Sequence, residues 1–195
     1  MSELLEQGNK VLFVGRPCQC HWLRGKYGQY PNLILVELFC FGVPQDSLWT
    51  EYATSLVQKH GRIKSVDFRD KTSGWRNYNF TVEFENGEVL SEPHGQNQYM
   101  GQYLSRRNLQ PKCGTCRFKS SPPFADISCG DAWGMDILDD KGTSIVVAFS
   151  EEGKNLLNSL KDKFTAKEAS LDDIRRIKCH NGGFSIRAGR MWSVH

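Results

Sequence analysis

Three features of the sequence predict a mixed α/β fold. Residues 11–15 (Val-Leu-Phe-Val-Gly) and residues 33–39 are continuous apolar runs, which suit buried parallel strands. A short helical segment lies between them, so strand, helix and strand form a βαβ unit. Farther along, Asn86-Gly87 joins two segments of alternating polarity and is a strong hairpin signal. The fold should therefore start with parallel strands, continue with an antiparallel hairpin section and pack its helices on the sheet.

The remaining elements follow from periodicity and from turn residues. Residues 16–20 are expected to form a turn that leads into the first helix. Residues 111–124 are rich in Cys, Pro, Lys and Ser and are expected to form a loop. The predicted strands are residues 11–15, 33–39, 63–69, 77–85, 88–90, 126–129 and 144–149. The predicted helices are residues 21–27, 46–61, 97–107, 151–163 and 171–178, and the tail after them has no clear period.

Composition excludes several classes of protein. The chain has 195 residues, of which 39% are hydrophobic and 24% charged, so a disordered, collagen-like or coiled-coil chain is excluded. The formal net charge of +3 is too small and too scattered for a nucleic-acid interface. The N-terminus lacks the features of a signal peptide, and no apolar run reaches the roughly 18 residues of a membrane span. We expect a soluble, cytoplasmic protein.

Cysteine is the unusual component. The seven cysteines are Cys18, Cys20, Cys40, Cys113, Cys116, Cys129 and Cys179. Since structural disulfides are disfavoured in the cytosol, cysteines clustered on loops indicate metal or redox ligands. Cys18 follows the first predicted strand and Cys40 follows the second. If these strands are parallel neighbours, both thiols lie at the same end of the sheet, where open α/β sheets bind ligands.

Cys113 and Cys116 add a C-x-x-C pair, which brings the number of candidate ligands to four. Four thiolates suit a [4Fe–4S] cluster or a tetrahedral zinc ion. A structural zinc site usually has a second close pair, and a thioredoxin-like dithiol starts a helix after a strand; this chain shows neither pattern. Cys40 alone would be read as a small buried apolar residue. Cys129 remains an alternative ligand, and Cys20 and Cys179 have no assigned role.

The ordered set of motifs resembles one protein family. The motifs are Val-Leu-Phe-Val-Gly-Arg-Pro-Cys-Gln (11–19), Cys-Phe-Gly-Val-Pro (40–44), Phe-Arg-Asp-Lys (68–71), Gly-Trp (74–75), Cys-Gly-Thr-Cys-Arg-Phe-Lys (113–119), Asp-Ile-Ser-Cys-Gly-Asp-Ala-Trp-Gly (126–134) and Asp-Lys-Gly-Thr-Ser (140–144). Together they are similar to the C-terminal domain of the coenzyme F420 hydrogenase/dehydrogenase beta subunit family, and to its bacterial branch in particular. On this basis residues 1–165 form the family-like domain with the iron–sulfur site, and residues 166–195 form a C-terminal helix and tail.

The resemblance implies an electron-transfer subunit that carries an iron–sulfur cluster and FAD. It also implies that Cys18, Cys40, Cys113 and Cys116 are the cluster ligands. Members of the family commonly have a further segment before the first strand, so we expect a redox partner subunit or a ferredoxin-like domain supplied by another chain. The acceptor implied is coenzyme F420 or another hydride carrier.

Two glycine-containing loops are expected to line the flavin. FAD needs backbone donors or a cation for its pyrophosphate, and no G-x-G-x-x-G motif follows the first strand. The residues predicted for the flavin are Ser128, Gly130, Asp131, Gly134, Gly142, Thr143 and Ser144. The alternative is that both loops are ordinary turns. The sequence offers no side-chain catalytic arrangement, so any chemistry belongs to the cofactors.

Three hypotheses result. The first is an oxidoreductase subunit with a [4Fe–4S] cluster next to FAD, passing electrons between a partner and a deazaflavin-like or other acceptor. The second is an iron–sulfur electron-transfer or assembly module that lacks its own flavin and is completed by a partner chain. The third is a structural zinc domain, which requires zinc in place of iron and sulfide.

Overall fold

A computed structural model describes residues 1–119, 123–133, 140–168 and 190–194. The chain divides into two compact units. The first unit comprises Met1–Phe41, Arg117–Leu138 and Gly142–His195, and the second comprises Gly42–Cys116 and Asp139–Lys141. The mixed α/β class predicted from the sequence is confirmed, with parallel and antiparallel strands in two sheets.

The first unit contains a sheet of six described strands. These strands are β1 (Val11–Gly15), β2 (Leu33–Leu38), β6 (Ile127–Asp131), β7 (Ser144–Ala148), β8 (Ala166–Glu168) and β9 (Arg190–Val194). Their order in the sheet is β1-β2-β6-β7-β9-β8. β1, β2 and β6 are parallel, whereas β7, β9 and β8 pair antiparallel. The predicted parallel start is therefore confirmed, and a third parallel strand joins it.

The helices of the first unit are α1 (Ser2–Glu6), α2 (Pro17–Tyr27) and α6 (Glu151–Ser159), with a 3-10 turn at each of Arg117–Lys119 and Lys161–Lys163. Alternate residues of β2 are buried, and Leu33 and Leu35 lie in one core with Leu23 of α2. Arg24 of α2 forms an ion pair with Asp126, since its guanidinium lies 2.7 Å from Asp126 Oδ2. The same oxygen accepts the Leu35 N–H at 2.8 Å, so helix and strand are tied at one carboxylate.

The second unit is built on a three-stranded antiparallel sheet. Its strands are β3 (Ile63–Asp70), β4 (Asn79–Phe84) and β5 (Val89–Pro93), and its helices are α3 (Asp46–His60), α4 (Gln98–Leu104) and α5 (Pro111–Gly114). The hairpin predicted at Asn86-Gly87 joins β4 and β5, and Gly87 has the positive φ of +86° that the turn requires. Phe80, Val82 and Phe84 of β4 are fully buried in the core of this unit.

Several boundaries differ from the sequence predictions. Residues 17–20 are the start of α2 and not a turn, because proline is favourable at the first helical position and Gln19 caps the helix start. The cysteine-rich segment predicted as a loop contains α5. The tail, which has no clear period, supplies β9, whose partners are β7 and β8. The helix predicted at residues 171–178 lies outside the described residues.

Candidate functional site

The parallel strands β1, β2 and β6 end at the same edge of the first unit's sheet, which we call the carboxyl rim. Cys18 follows β1 in the first turn of α2 and is exposed. The helix start that holds it is fixed by the Arg16 N–H, which donates to Gln19 Oε1 at 3.0 Å. Cys40 follows β2 by two residues and is partly buried. Two of the four predicted cluster ligands thus follow adjacent parallel strands.

The end of β2 is closely packed against β6. The Phe39 N–H donates to the Cys129 carbonyl at 2.8 Å and so extends the ladder beyond β2. Gly130 is needed at this point, because a Cβ there would lie 2.6 Å from the Phe39 ring. The backbone that leads to Cys40 is therefore held by two contacts with β6.

The C-x-x-C pair belongs to the second unit. Cys113 lies in α5, and its N–H donates to the Gln110 carbonyl at 2.8 Å. The Val43 N–H donates to Cys113 Sγ at 3.5 Å, while the Val43 carbonyl accepts the Gln110 N–H at 2.8 Å. A backbone donor aimed at sulfur stabilises a thiolate, as in iron–sulfur sites. Cys116 is partly buried.

Two other cysteines have raised pKa values. Cys20 is fully buried, and its Sγ donates to the Val36 carbonyl at 3.6 Å. Burial, followed by the charge of Glu37, raises the pKa of Cys20 to about 12. The same two causes raise the pKa of Cys129. Because metal ligands are thiolates, both residues are less suited to ligation than exposed cysteines. Cys179 lies outside the described residues.

The two loops predicted to line the flavin lie side by side at the carboxyl rim. Asp131 at the end of β6 pairs with Ser144 at the start of β7, and the Ala132 N–H donates to the Thr143 carbonyl at 2.9 Å. Gly142 has a positive φ of +100°, and Thr143 is buried. Gly134 lies outside the described residues. The structure thus brings Gly130 and Asp131 together with Thr143 and Ser144.

Ser128 differs from the other predicted flavin residues. Its side chain is fully buried, and its hydroxyl donates to Glu37 Oε1 at 2.7 Å. Glu37 is only 4% exposed, and Oε2 accepts no hydrogen bond from the residues that the structure describes. Burial raises the pKa of Glu37, and the Ser128 hydrogen bond acts in the opposite direction.

Comparison with known proteins decides the family. Residues 8–174 match the family model for the C terminus of the coenzyme F420 hydrogenase/dehydrogenase beta subunit. The chain belongs to this family. The resemblance inferred from the sequence motifs is therefore confirmed. A search of the curated proteins gives no match.

Membership of the F420 hydrogenase/dehydrogenase beta subunit family places the chain among electron-transfer or oxidoreductase subunits. A beta subunit implies partner subunits in a redox complex. Within the part of the chain that is described, no helix has the length and apolar character needed to cross a membrane.

The family is associated with redox cofactors. Cys113 combines a sulfur ligand with a backbone hydrogen bond, and Cys18 and Cys40 both follow strands that end at the carboxyl rim. Across residues 1–119, 123–133, 140–168 and 190–194, however, no three side chains of Cys, His, Asp or Glu form a group that could hold a metal ion. Cys18 and Cys40 belong to the first unit and Cys113 and Cys116 to the second. The four-cysteine ligand set remains a prediction.

Sequence reasoning missed two features of this family member. Glu37 interrupts the apolar run of β2, and that single polar residue was the available signal. Asp140, within the Asp-Lys-Gly-Thr-Ser motif, supports the Gly-Trp motif of the second unit: its carbonyl accepts the Trp75 N–H at 2.8 Å and its Oδ1 accepts the Arg76 N–H at 3.1 Å. Gly74 leaves the room for this contact, since a Cβ there would collide with the Asp140 carboxylate.

Proposed function

We propose that this chain is an electron-transfer subunit of an oxidoreductase, with a [4Fe–4S] cluster held by Cys18, Cys40, Cys113 and Cys116. FAD binds beside the cluster, along Gly130–Gly134 and Gly142–Ser144. The electrons pass between a redox partner subunit, or a ferredoxin-like domain, and coenzyme F420 or another deazaflavin-like acceptor. The protein works in the cytoplasm.

The observation that carries this proposal is the hydrogen bond from the Val43 N–H to Cys113 Sγ, in a chain that belongs to a redox family. Backbone donors to cysteine sulfur offset the negative charge of an iron–sulfur centre and tune its potential. Val43 comes three residues after Cys40, and Cys116 comes three residues after Cys113. Two short segments thus contain three of the four proposed ligands.

The charge of the C-x-x-C segment supports an anionic centre. No Asp or Glu occurs between Glu92 and Asp126, whereas Lys112 and Arg117 flank the cysteine pair and are both exposed. Positive side chains stabilise the net negative charge of a cluster with four thiolates. When bound, the cluster would move single electrons and FAD would pair them for transfer as hydride.

A second function, a cluster-carrying module without its own flavin, is favoured by one observation. Ser128, one of the predicted flavin residues, is fully buried and its hydroxyl is already bonded to Glu37. In this case the partner chain supplies the flavin, and this chain supplies only the cysteine ligands of the cluster.

Anaerobic purification followed by assay of iron, acid-labile sulfide, zinc and flavin on one sample tests the proposal. We expect about four iron and four sulfide per chain, with one flavin. Cys113→Ser should lose most of the iron while far-UV circular dichroism stays unchanged, because a hydroxyl replaces a thiolate ligand in α5. Cys129→Ser is the matched control, and it should retain the iron because Cys129 is not among the proposed ligands.

Three other results would overturn the ligand assignment or select one of the alternative functions. Iron retained in full by Cys113→Ser would overturn the ligand assignment. A cluster without flavin selects the module that is completed by its partner. One zinc per chain without labile sulfide selects the structural zinc domain.

A further inference from the structure

Glu37 is a carboxylic acid inside the parallel part of the first unit's sheet. In the strand register it lies between Gly15 of β1 and Ser128 of β6. Leu33 and Leu35 precede it at alternate positions of β2, so it continues the buried face of that strand. It is 4% exposed. A charged or polar group in such a position needs compensation, or it serves a function.

The hydrogen bonds of Glu37 determine where a proton lies. Ser128 Oγ donates to Oε1 at 2.7 Å, so Oε1 is the accepting oxygen. Oε2 is buried and has no hydrogen-bond partner among the described residues. When Glu37 is protonated, its proton therefore lies on Oε2, and no described residue accepts that O–H.

The surroundings of Glu37 favour the protonated form. Burial raises the pKa of Glu37, and the Ser128 hydrogen bond only partly opposes that effect. The titratable neighbours are thiols, Cys20 on α2 and Cys129 on β6, whose pKa values are raised by burial and, to a smaller extent, by the charge of Glu37. β1 contributes Gly15, which has no side chain. Arg24, a cation of α2, is paired with Asp126.

We propose that Glu37 is the proton donor of the redox site, a role that rests on the function proposed above. It lies one residue before the end of β2, and its partner Ser128 lies two residues before Gly130 of the predicted flavin loop. A buried carboxyl group whose pKa is raised is suited to general acid catalysis.

Full reduction of the acceptor, a hydride carrier of deazaflavin type, adds two electrons and two protons. The partner protein would supply the two electrons one at a time, and one proton would travel with them as the hydride that the flavin delivers. The O–H bond at Oε2 of Glu37 breaks, and its proton is the second one that the acceptor gains. The acceptor thus gains two electrons and two protons. Glu37 is left as a carboxylate and regains one proton from solvent.

The first test is infrared spectroscopy, which requires no cofactor. When wild-type protein is titrated upward from pH 4.5, the carbonyl band of a protonated carboxylic acid should persist to higher pH than that of an ordinary glutamic acid, and Glu37→Gln should lack this persistent band. Ser128→Ala should move the titration of that band to higher pH, because the lost hydrogen bond stabilises the carboxylate. Glu83→Gln is the control: Glu83 is partly exposed and paired with Lys64, and this variant should keep the band. A wild-type spectrum without the band overturns the proposal.

The second test uses the protein loaded with iron and flavin and reduced with dithionite. Glu37→Gln should transfer electrons to ferricyanide, which takes one electron and no proton, at the wild-type rate. Its reduction of coenzyme F420 should fall by about 100-fold or more. The wild-type rate with coenzyme F420 should also decline as pH rises through the pKa of Glu37, and the variant should lack that decline. Glu83→Gln should match the wild type in both assays.

The outcomes separate this role from the proposed function. A wild type that binds neither iron nor flavin overturns both. A loaded wild type that reduces ferricyanide but not coenzyme F420 overturns the proton step with this acceptor. Equal rates of coenzyme F420 reduction in wild type and Glu37→Gln overturn the role of Glu37 and leave the function standing. Equal losses with both acceptors show that Glu37 is structural, which also overturns the role.

Discussion

At the scale of single residues, Glu37 should make the stability of the protein depend on pH. Its pKa in the folded protein is raised above the ordinary value of 4.5. At pH values between those two pKa values the folded state binds more protons than the unfolded state, so the free energy of unfolding falls as pH rises. The stability that Glu37 contributes is thus fully present below its unfolded pKa and is lost as pH rises through its folded pKa.

Replacing Glu37 by a side chain that does not titrate should remove its contribution to the pH dependence of the free energy of unfolding. Glu37→Gln is expected to gain stability relative to the wild type as pH rises above 4.5, in urea unfolding measured from mildly acidic to mildly alkaline pH. Glu83→Gln should instead lose stability relative to the wild type as pH rises through the titration of Glu83. Hydrogen bonding and charge from Lys64 lower the pKa of Glu83, so its contribution is present above its unfolded pKa and lost as pH falls. Parallel curves for wild type and Glu37→Gln would contradict the raised pKa.

At this scale the sequence predicts candidate ligand residues better than it predicts which polar side chains are buried together. Cysteine type and spacing are local properties, so the C-x-x-C pair and the positions of Cys18 and Cys40 after strands could be predicted. The bond between Ser128 and Glu37 depends on the pairing of β2 with β6, which lie far apart in the chain. Residue order alone does not reveal that pairing, so the sequence predicts Ser128 as a flavin residue and gives no role to Glu37.

At the scale of elements, one glycine controls how α6 packs on β6. Ser150 begins the helix, since its hydroxyl accepts the Gly153 N–H at 3.0 Å. A Cβ on Gly153 would lie 2.4 Å from the Asp126 carbonyl oxygen. Because that atom belongs to the backbone, helix and strand would have to move apart. The closeness of this contact depends on the absence of a side chain.

Gly153→Ala should therefore destabilise the protein by about 1–3 kcal/mol, the usual cost of overpacking. Gly25→Ala is the matched control in α2, where the added methyl group meets nothing within 4 Å beyond its chain neighbours and the nearby backbone of its own helix. It should stabilise the protein by about 0.5–1 kcal/mol, because alanine is the better helix former. Chemical denaturation of both variants checks the pair. A neutral or stabilising Gly153→Ala would mean that α6 packs less closely than the structure indicates.

The sequence predicts well those helices and strands that have strong local signals. It predicts poorly the strands that exist only because they pair with distant strands. The apolar runs of β1 and β2 and the Asn86-Gly87 turn each specify their own structure. β9 lacks a clear pattern in sequence because its identity as a strand comes from pairing with β7 and β8. The sequence predicts a later start for α2, because Pro17 is typical of turns, although proline is also favourable in the first turn of a helix.

At the scale of the whole molecule, the described residues of each unit include a hydrophobic core built on that unit's own sheet. Leu35 is fully buried in the first unit, in a cluster with Leu23 and Leu33. Phe80 is fully buried in the second unit, in a cluster with Val82 and Phe84. The described members of the two clusters do not overlap. Since each core is organised around its own sheet, we expect each unit to open as a cooperative unit of its own.

Native-state hydrogen exchange of two core variants tests this expectation. Phe80→Ala should remove about 3–5 kcal/mol of stability from the second unit, so the amides of β3, β4 and β5 should exchange faster. The amides of β1, β2 and β6 should keep their wild-type rates. Leu35→Ala, at a cost of about 2–5 kcal/mol, should give the reverse pattern. Faster exchange across both sheets in either variant would mean that the two units unfold together. If the units unfold together, a ligand bound through cysteines of either unit would stabilise the whole chain. If they open independently, the proposed cluster could be lost from one unit while the sheet of the other unit stays folded.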